Sequence, residues 1–209
     1  YTLSLHDALP ISIVTWWNEA LEALSGEAYF LEARRRTAGQ GLVACENLFN
    51  TYVRAVCGQQ VNTAVAEKMA QSVFGYAGDK GDNAADALAG SSVDALRNLG
   101  LSQTKAGALV AIAQKYVEGS FTAPALEALD DAAVRARLTG VKGVGPWTAD
   151  MVLIFGLNRP DVWAQTDFGL RKALEKTGLG AKDPQLWAPW RTAATWLLWQ
   201  SLTATPVQY

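Results

Sequence analysis

The chain has 209 residues, half of them apolar and 18% charged, enough to bury the core of one or two domains. Eighteen basic against twenty acidic side chains give a net charge of −2 and a pI near 5.5, a balance that taken alone argues against a nucleic-acid partner. Two cysteines (Cys45 and Cys57), one histidine (His6) and no apolar run near the roughly 18 residues of a membrane span exclude several classes. These are a disulfide framework, a four-cysteine zinc or iron–sulfur site, a mechanism needing two imidazoles and a membrane-spanning protein.

In chain order, Tyr1–Ser12 has no basic residue at its start and makes a poor signal peptide. Its first eleven residues, YTLSLHDALPI, resemble the translated end of a sequencing-library adapter. The expectation is therefore an artefact of assembled environmental reads, with the native start missing. Setting it aside removes His6 and Asp7 and leaves 18 basic against 19 acidic groups. From there apolar residues recur at helical spacing and no alternating run suggests a strand, so the fold class expected is all-α. A first helix is predicted near 14–24, followed by a loop containing Gly39 and Gly41. An apolar stripe of Leu48, Tyr52, Val53 and Val56 runs to the break at Gly58-Gln59-Gln60. Asn62 is placed to cap the next helix, on which Val65, Met69 and Val73 lie four apart. A Gly- and Asp-rich loop over 75–83 leads to short helices near 84–89 and 92–98, then a longer one capped by Ser102 and running to about Glu118. Short helices near 123–129 and 131–137 precede a glycine-rich turn. Helices of about 146–157, 168–176 and 184–202 complete the chain, with no internal repeat.

Two stretches carry more information than the rest. In Leu138–Ala149, glycines at 140, 143 and 145 permit the positive φ and close approach of a tight turn, while Leu138, Val141 and Val144 supply its apolar side. Pro146 suits the first positions of the following helix. Free backbone N–H groups and the positive end of the helix dipole there form an anion site without a lysine. A phosphodiester fits it; a turn made only for packing is the alternative. In Val162–Leu174, Asp167 opens a helix, and an aspartate there is most often an N-cap. Its functional reading is a carboxylate beside an aromatic-walled pocket.

About twenty residues apart, these two segments resemble the helix-hairpin-helix plus Gly/Pro…Asp signature of the DNA base-excision glycosylases. The similarity is greatest to the DNA-3-methyladenine glycosylase II branch. Residues 53–62, 100–106 and 190–199 agree as well, so the resemblance covers about 45–203. It implies two helical lobes around a cleft; some branches add an N-terminal β domain, for which residues 13–45 are too few, so none is expected in this chain. One lobe is 13–57 with 171–209; the other is 58–170, with the helix-hairpin-helix at 138–157. The resemblance implies a monofunctional hydrolase that excises alkylated purines (3-methyladenine, 7-methylguanine) from DNA by base flipping. The alternatives are a glycosylase of the same fold for another damaged base and a non-catalytic DNA-binding hairpin module.

The resemblance also assigns roles. Asp167 falls on the catalytic aspartate, which stabilises the oxocarbenium-like sugar. Trp147, Trp199 and Met151 fall on base-pocket positions; Met151 stands where some relatives carry a tyrosine. Trp187, Trp190 and Trp196 are read as core. Implied DNA contacts are Gly140, Lys142, Gly143, Gly145 and Thr148 of the hairpin, Gln59, Gln60 at the wedge position, and Lys105, with Arg54 and Gln103 as further phosphate contacts. Lys142, Arg159, Arg171 and Lys172 are read as the local electrostatic footprint. Relatives that also cleave the backbone carry a lysine nucleophile two residues after the last hairpin glycine, where this chain has Trp147. No lyase step is therefore expected. The partner implied is double-stranded DNA with an alkylated base, acted on by a monomer in a bacterial cytoplasm, without membrane, metal or cofactor. The hairpin allows a monovalent cation at its contact with DNA.

Overall fold

The regular elements of the computed structural model, which describes residues 13–37, 40–45, 47–79 and 83–202, are all helical. The adapter-like Tyr1–Ser12 and His6 lie outside these residues. The only β-type pairing among them is an isolated bridge between Ile13 and Val43. No helix of the described residues is long and apolar enough to cross a membrane.

The residues fall into two compact units: the first runs to Cys45 and resumes at Asn158, and the second is the stretch between. The expected breaks at 57/58 and 170/171 differ from these, for two physical reasons. The helix α3 (Leu48–Gly58) buries Leu48, Phe49, Tyr52, Val53 and Val56 against elements of the second unit. A Cβ on Gly156 would come within 2.5 Å of the Leu48 side chain. Residues 159–162, in turn, are bonded to the final helix of the first unit. Thr192 donates its N–H to Pro160 O at 3.0 Å and its hydroxyl to Arg159 O at 2.6 Å, while accepting from Val162 N–H.

In the first unit, α1 (Trp17–Ala23) ends in a 3-10 turn and α2 (Ala28–Arg36) follows. The sequence reading has no helix at α2. Its apolar stripe is narrow, with only Phe30 and Ala33 buried, and its N-cap, Glu27, makes no side-chain capping bond. Three arginines in its last turn suit the negative end of the dipole. The helix α11 (Phe168–Thr177) ends on Gly178 at φ +72°, a left-handed C-cap. The long helix expected over 184–202 is divided. Pro184–Trp187 is a 3-10 turn, Pro189 interrupts, and α12 is Arg191–Trp199. Proline has no N–H to donate and crowds the preceding turn, which accounts for the break. All of Thr192–Trp199 is buried. Tryptophan fills much of this unit: Trp17 meets Trp196 edge-on at 5.1 Å, and Trp187 contacts both Phe30 and Trp163 at 5.4 Å. Trp187 and Trp196 are core residues as read, whereas Trp190 is partly exposed and stacks on Trp16.

The second unit contains α3, capped by Asn47, and α4 (Thr63–Asp79), where Asn62 Oδ1 accepts from Val65 N–H at 3.0 Å. Then come α5 (Ala84–Ala89), α6 (Val93–Arg97), α7 (Gln103–Val117), α8 (Ala123–Glu127), α9 (Asp131–Thr139) and α10 (Pro146–Met151). The last continues as one π turn over Val152–Gly156, closed by Leu157 N–H on Val152 O at 2.9 Å. Small buried residues Ala106, Ala108 and Ala113 let α7 pack closely on α3, α5 and α6.

Candidate active site

The hairpin of the second unit is built from short-range chemistry. Asp130 caps α9, accepting from Ala133 N–H at 2.7 Å. Leu138, Val141 and Val144 are buried, and Lys142 between them points to solvent. Of the three hairpin glycines only Gly143 has positive φ, at +92°. A Cβ there would lie 2.8 Å from Thr104 Cγ2 and 3.1 Å from Thr104 O on α7. Gly140 and Gly145 sit at φ −66° and −97°, so of the three glycines that permit positive φ the turn uses that freedom at Gly143. At Gly145 a Cβ would meet nothing within 4 Å. The N–H groups of Gly143 and Gly145 donate to no group among the described residues.

Side chains brace this turn from behind. Gln59 donates its Nε2 hydrogens to Gly143 O at 2.9 Å and to Thr148 Oγ1 at 3.0 Å, so both Gln59 and the buried Thr148 are engaged inside the unit. Arg135 on α9 donates to Asp150 on α10 at 2.7 Å. Burial pushes the Asp150 carboxyl up, and the hydrogen bond and charge of Arg135 oppose that shift. Met151 is buried and Trp147 is partly exposed in the first turn of α10. Gln60 is exposed with φ +54°, an uncommon left-handed conformation for a residue with a side chain.

Two cations expected to meet phosphate are occupied elsewhere. Lys105 is only 8% exposed, and its ammonium donates to Cys57 O, near the C-terminus of α3, at 2.9 Å. Desolvation lowers the Lys105 pKa, and the Cys57 thiol beside it is pushed up to about 11 by burial. Arg54 is paired with Glu67 at 2.5 Å. Gln103, at the start of α7, is exposed as read. The physical reason for both corrections is that each long side chain finds a nearby acceptor on its own unit.

In the first unit, Asp167 is the N-cap of α11 and partly exposed. Its Oδ1 accepts from Leu170 N–H at 2.5 Å and from the indole N–H of Trp199 at 2.8 Å. Capping and a second, tertiary bond thus converge on one oxygen. Trp199 is buried, at 7% exposure. Gly169 lies between them: a Cβ there would be 3.1 Å from Asp167 Oδ1 and 3.5 Å from Trp199 Nε1. The preceding segment is anchored by Arg191, which donates Nε and Nη2 to the two oxygens of Asp161 at 2.6 and 2.8 Å. After Asp167 comes Phe168, 62% exposed, with Lys172 Nζ 4.7 Å and Arg171 Cζ 5.8 Å from its ring centroid. Neither cation is in an ion pair among the described residues, whereas Arg159 contributes its carbonyl to Thr192.

Sequence reading does not find Arg135–Asp150, Asp161–Arg191, Thr192 or Gly169. For Gly169 a signal exists: a glycine in a helix's first turn costs up to about 1 kcal/mol against alanine and calls for a spatial reason. The ion pairs bridge 15 and 30 residues and leave no local trace. No group of three His, Cys, Asp or Glu that could hold a metal occurs among the described residues.

A family model described as "HhH-GPD superfamily base excision DNA repair protein" matches residues 53–186. The chain is 27% identical to the putative DNA-3-methyladenine glycosylase YfjP of Bacillus subtilis, over 79% of the chain and 62% of that relative's length. It is 29% identical to DNA-3-methyladenine glycosylase 1 of Schizosaccharomyces pombe, over 73% of the chain and 72% of the relative. Among solved structures, the fission-yeast 3-methyladenine DNA glycosylase Mag1 in complex with abasic DNA superposes with a TM-score of 0.76. That match has 26% identity and covers 89% of this chain and 98% of the other.

Proposed function

The chain belongs to the HhH-GPD superfamily of base excision DNA repair proteins, and from this we propose that it is a monofunctional glycosylase, of DNA-3-methyladenine glycosylase II type, that hydrolyses alkylated purines out of duplex DNA. The observation that carries the reading is the Asp167 carboxylate, held at the start of α11 by Leu170 N–H and the Trp199 indole. In the reaction the C1′–N9 bond breaks and its electron pair neutralises the cationic purine, which departs. Positive charge develops over C1′ and O4′ of the sugar. A fixed carboxylate of reduced mobility lowers the energy of that charge. Water then adds to C1′ and gives up a proton, for which Asp167 is the acceptor proposed. Because the alkylated base already carries positive charge, little acid catalysis is needed, which suits a site without histidine.

The hairpin has a separate task. N–H groups of Gly143 and Gly145 donate to a phosphate, Lys142 adds exposed charge, and a monovalent cation can join that contact. Gln60, presented at positive φ, is the wedge proposed for the gap left by the flipped base, where unstacking costs a few kcal/mol. Trp147 offers an aromatic face to a cationic base. No amine occupies its position, which supports hydrolysis without strand cleavage.

The test is release of 3-methyladenine and 7-methylguanine from methylated duplex DNA, read by chromatography. Wild type is expected to release both, and Asp167→Asn to slow release by about 10²–10³ while still binding DNA. Absence of release by wild type, or undiminished release by the variant, overturns the assignment. Borohydride trapping of protein on DNA overturns the monofunctional claim.

A further inference from the structure

We propose that Trp199 is a positioning residue for Asp167 and that Gly169 is the space in which the two meet. This rests on the assignment of Asp167 to the reaction but adds a role that base stacking does not include. A buried indole N–H needs an acceptor, and here it takes the Asp167 carboxylate at 2.8 Å, a charge-assisted bond. The same Oδ1 takes Leu170 N–H at 2.5 Å. One donor belongs to the first turn of α11 and the other to the last residue of α12, so the carboxylate is held from two helices.

The rest of α12 reinforces the arrangement. Its first two residues, Arg191 and Thr192, bond Arg159, Pro160, Asp161 and Val162, and its last bonds Asp167. The helix therefore splints the segment 159–167 at both ends, fixing where its C-terminal residue, Asp167, begins α11. Gly169 completes the fit. A methyl group there would stand 3.1 Å from Oδ1, so the carboxylate would have to give by a few tenths of an ångström, and 3.5 Å from both Trp199 Cδ1 and Nε1, an ordinary contact. A charge that must face a developing cation loses effect steeply with misplacement, on the order of 10²-fold per ångström.

Two measurements test this. Trp199→Phe keeps an aromatic face and removes the donor together with part of the ring. Its single-turnover rate of base release is expected to fall about 10- to 100-fold. Its affinity for duplex DNA carrying a non-cleavable abasic analogue should stay within about twofold, and its thermal midpoint should show that it is folded. Gly169→Ala, which favours the helix, is expected to lower the rate by a smaller factor, roughly 2- to 6-fold for a shift of a few tenths of an ångström. Separately, the ¹⁵N–¹H resonance of the Trp199 indole in the full chain should move when Asp167 is replaced by alanine. A wild-type rate in folded Trp199→Phe, or an indole resonance unmoved by Asp167→Ala, overturns the proposal. If wild type releases no base, the activity assignment fails by itself, and the resonance still decides whether Trp199 holds Asp167.

Discussion

Seven of the eight tryptophans lie in the first unit and one, Trp147, in the second. The first unit uses indoles as core material: Trp17, Trp187 and Trp196 are buried against one another or against other rings. The second unit fills its core with alanine, leucine, valine and a smaller cluster of Phe49, Tyr52, Tyr116 and Phe121. The one tryptophan of this unit, Trp147, is instead partly exposed, two residues past the last hairpin glycine. Charge shows the reverse contrast. The second unit turns Lys105, Arg54 and Arg135 onto its own carbonyls and carboxylates, leaving backbone N–H groups at the hairpin turn. The first leaves Arg171 and Lys172 outside, around an exposed phenyl ring. Arg191 and Lys182 of the first unit are paired with Asp161 and Glu27, so the contrast lies in the cations beside Asp167 and not in every cation of the unit.

The sharpest way to break this contrast is to truncate one tryptophan from each unit. Trp196→Ala should cost about 3–5 kcal/mol of stability, as a fully buried aromatic does. Trp147→Ala should cost about 1–2 kcal/mol in urea unfolding but slow release of a cationic base about 10- to 100-fold. Equal losses of stability would show that Trp147 is core after all. The next effect separates two hairpin glycines. Gly143→Ala combines a strained left-handed φ with a clash on Thr104, and about 2–4 kcal/mol of destabilisation is expected. Gly145→Ala should cost at most about 1 kcal/mol, the preference for glycine over alanine at an N-cap, yet weaken DNA binding where a phosphate approaches the turn.

These residues also mark what was readable in advance. The hairpin is legible because its signals are local: a Gly/Val pattern, a proline at the helix start and apolar residues three apart. Asp167 is legible as a cap for the same reason. Its bond to Trp199 spans 32 residues and depends on α12 being broken from the preceding turn at Pro189, which the apolar pattern over 184–202 obscures. Lys105 misleads because a lysine in a polar stretch reads as surface, whereas its four-carbon stem reaches an orphan carbonyl of α3. The helix α2 is missed because two buried residues do not make a stripe.

Lys105→Met tests that reversal. Removing the ammonium leaves Cys57 O buried without this donor, so about 1–3 kcal/mol of stability should be lost. The salt dependence of DNA affinity should not change, and a shallower dependence would return Lys105 to the phosphate contacts.

The smallest effect is expected from Arg171→Gln with Lys172→Gln. Both side chains are exposed, so stability should stay within about 0.5 kcal/mol of wild type. Each cation that neutralises a phosphate releases condensed counterions and contributes about 0.9 to the slope of log affinity against log salt. If both touch DNA, the slope measured by fluorescence anisotropy should fall by nearly two, and affinity should drop most at low salt. A net charge of −2 does not oppose this, because screening confines the field of distant acidic groups to about 10 Å at 0.1 M salt. What matters is the charge within that distance of the phosphate. An unchanged slope would mean that α11 brings only Asp167 to the DNA, leaving the backbone contact to the hairpin N–H groups and Lys142.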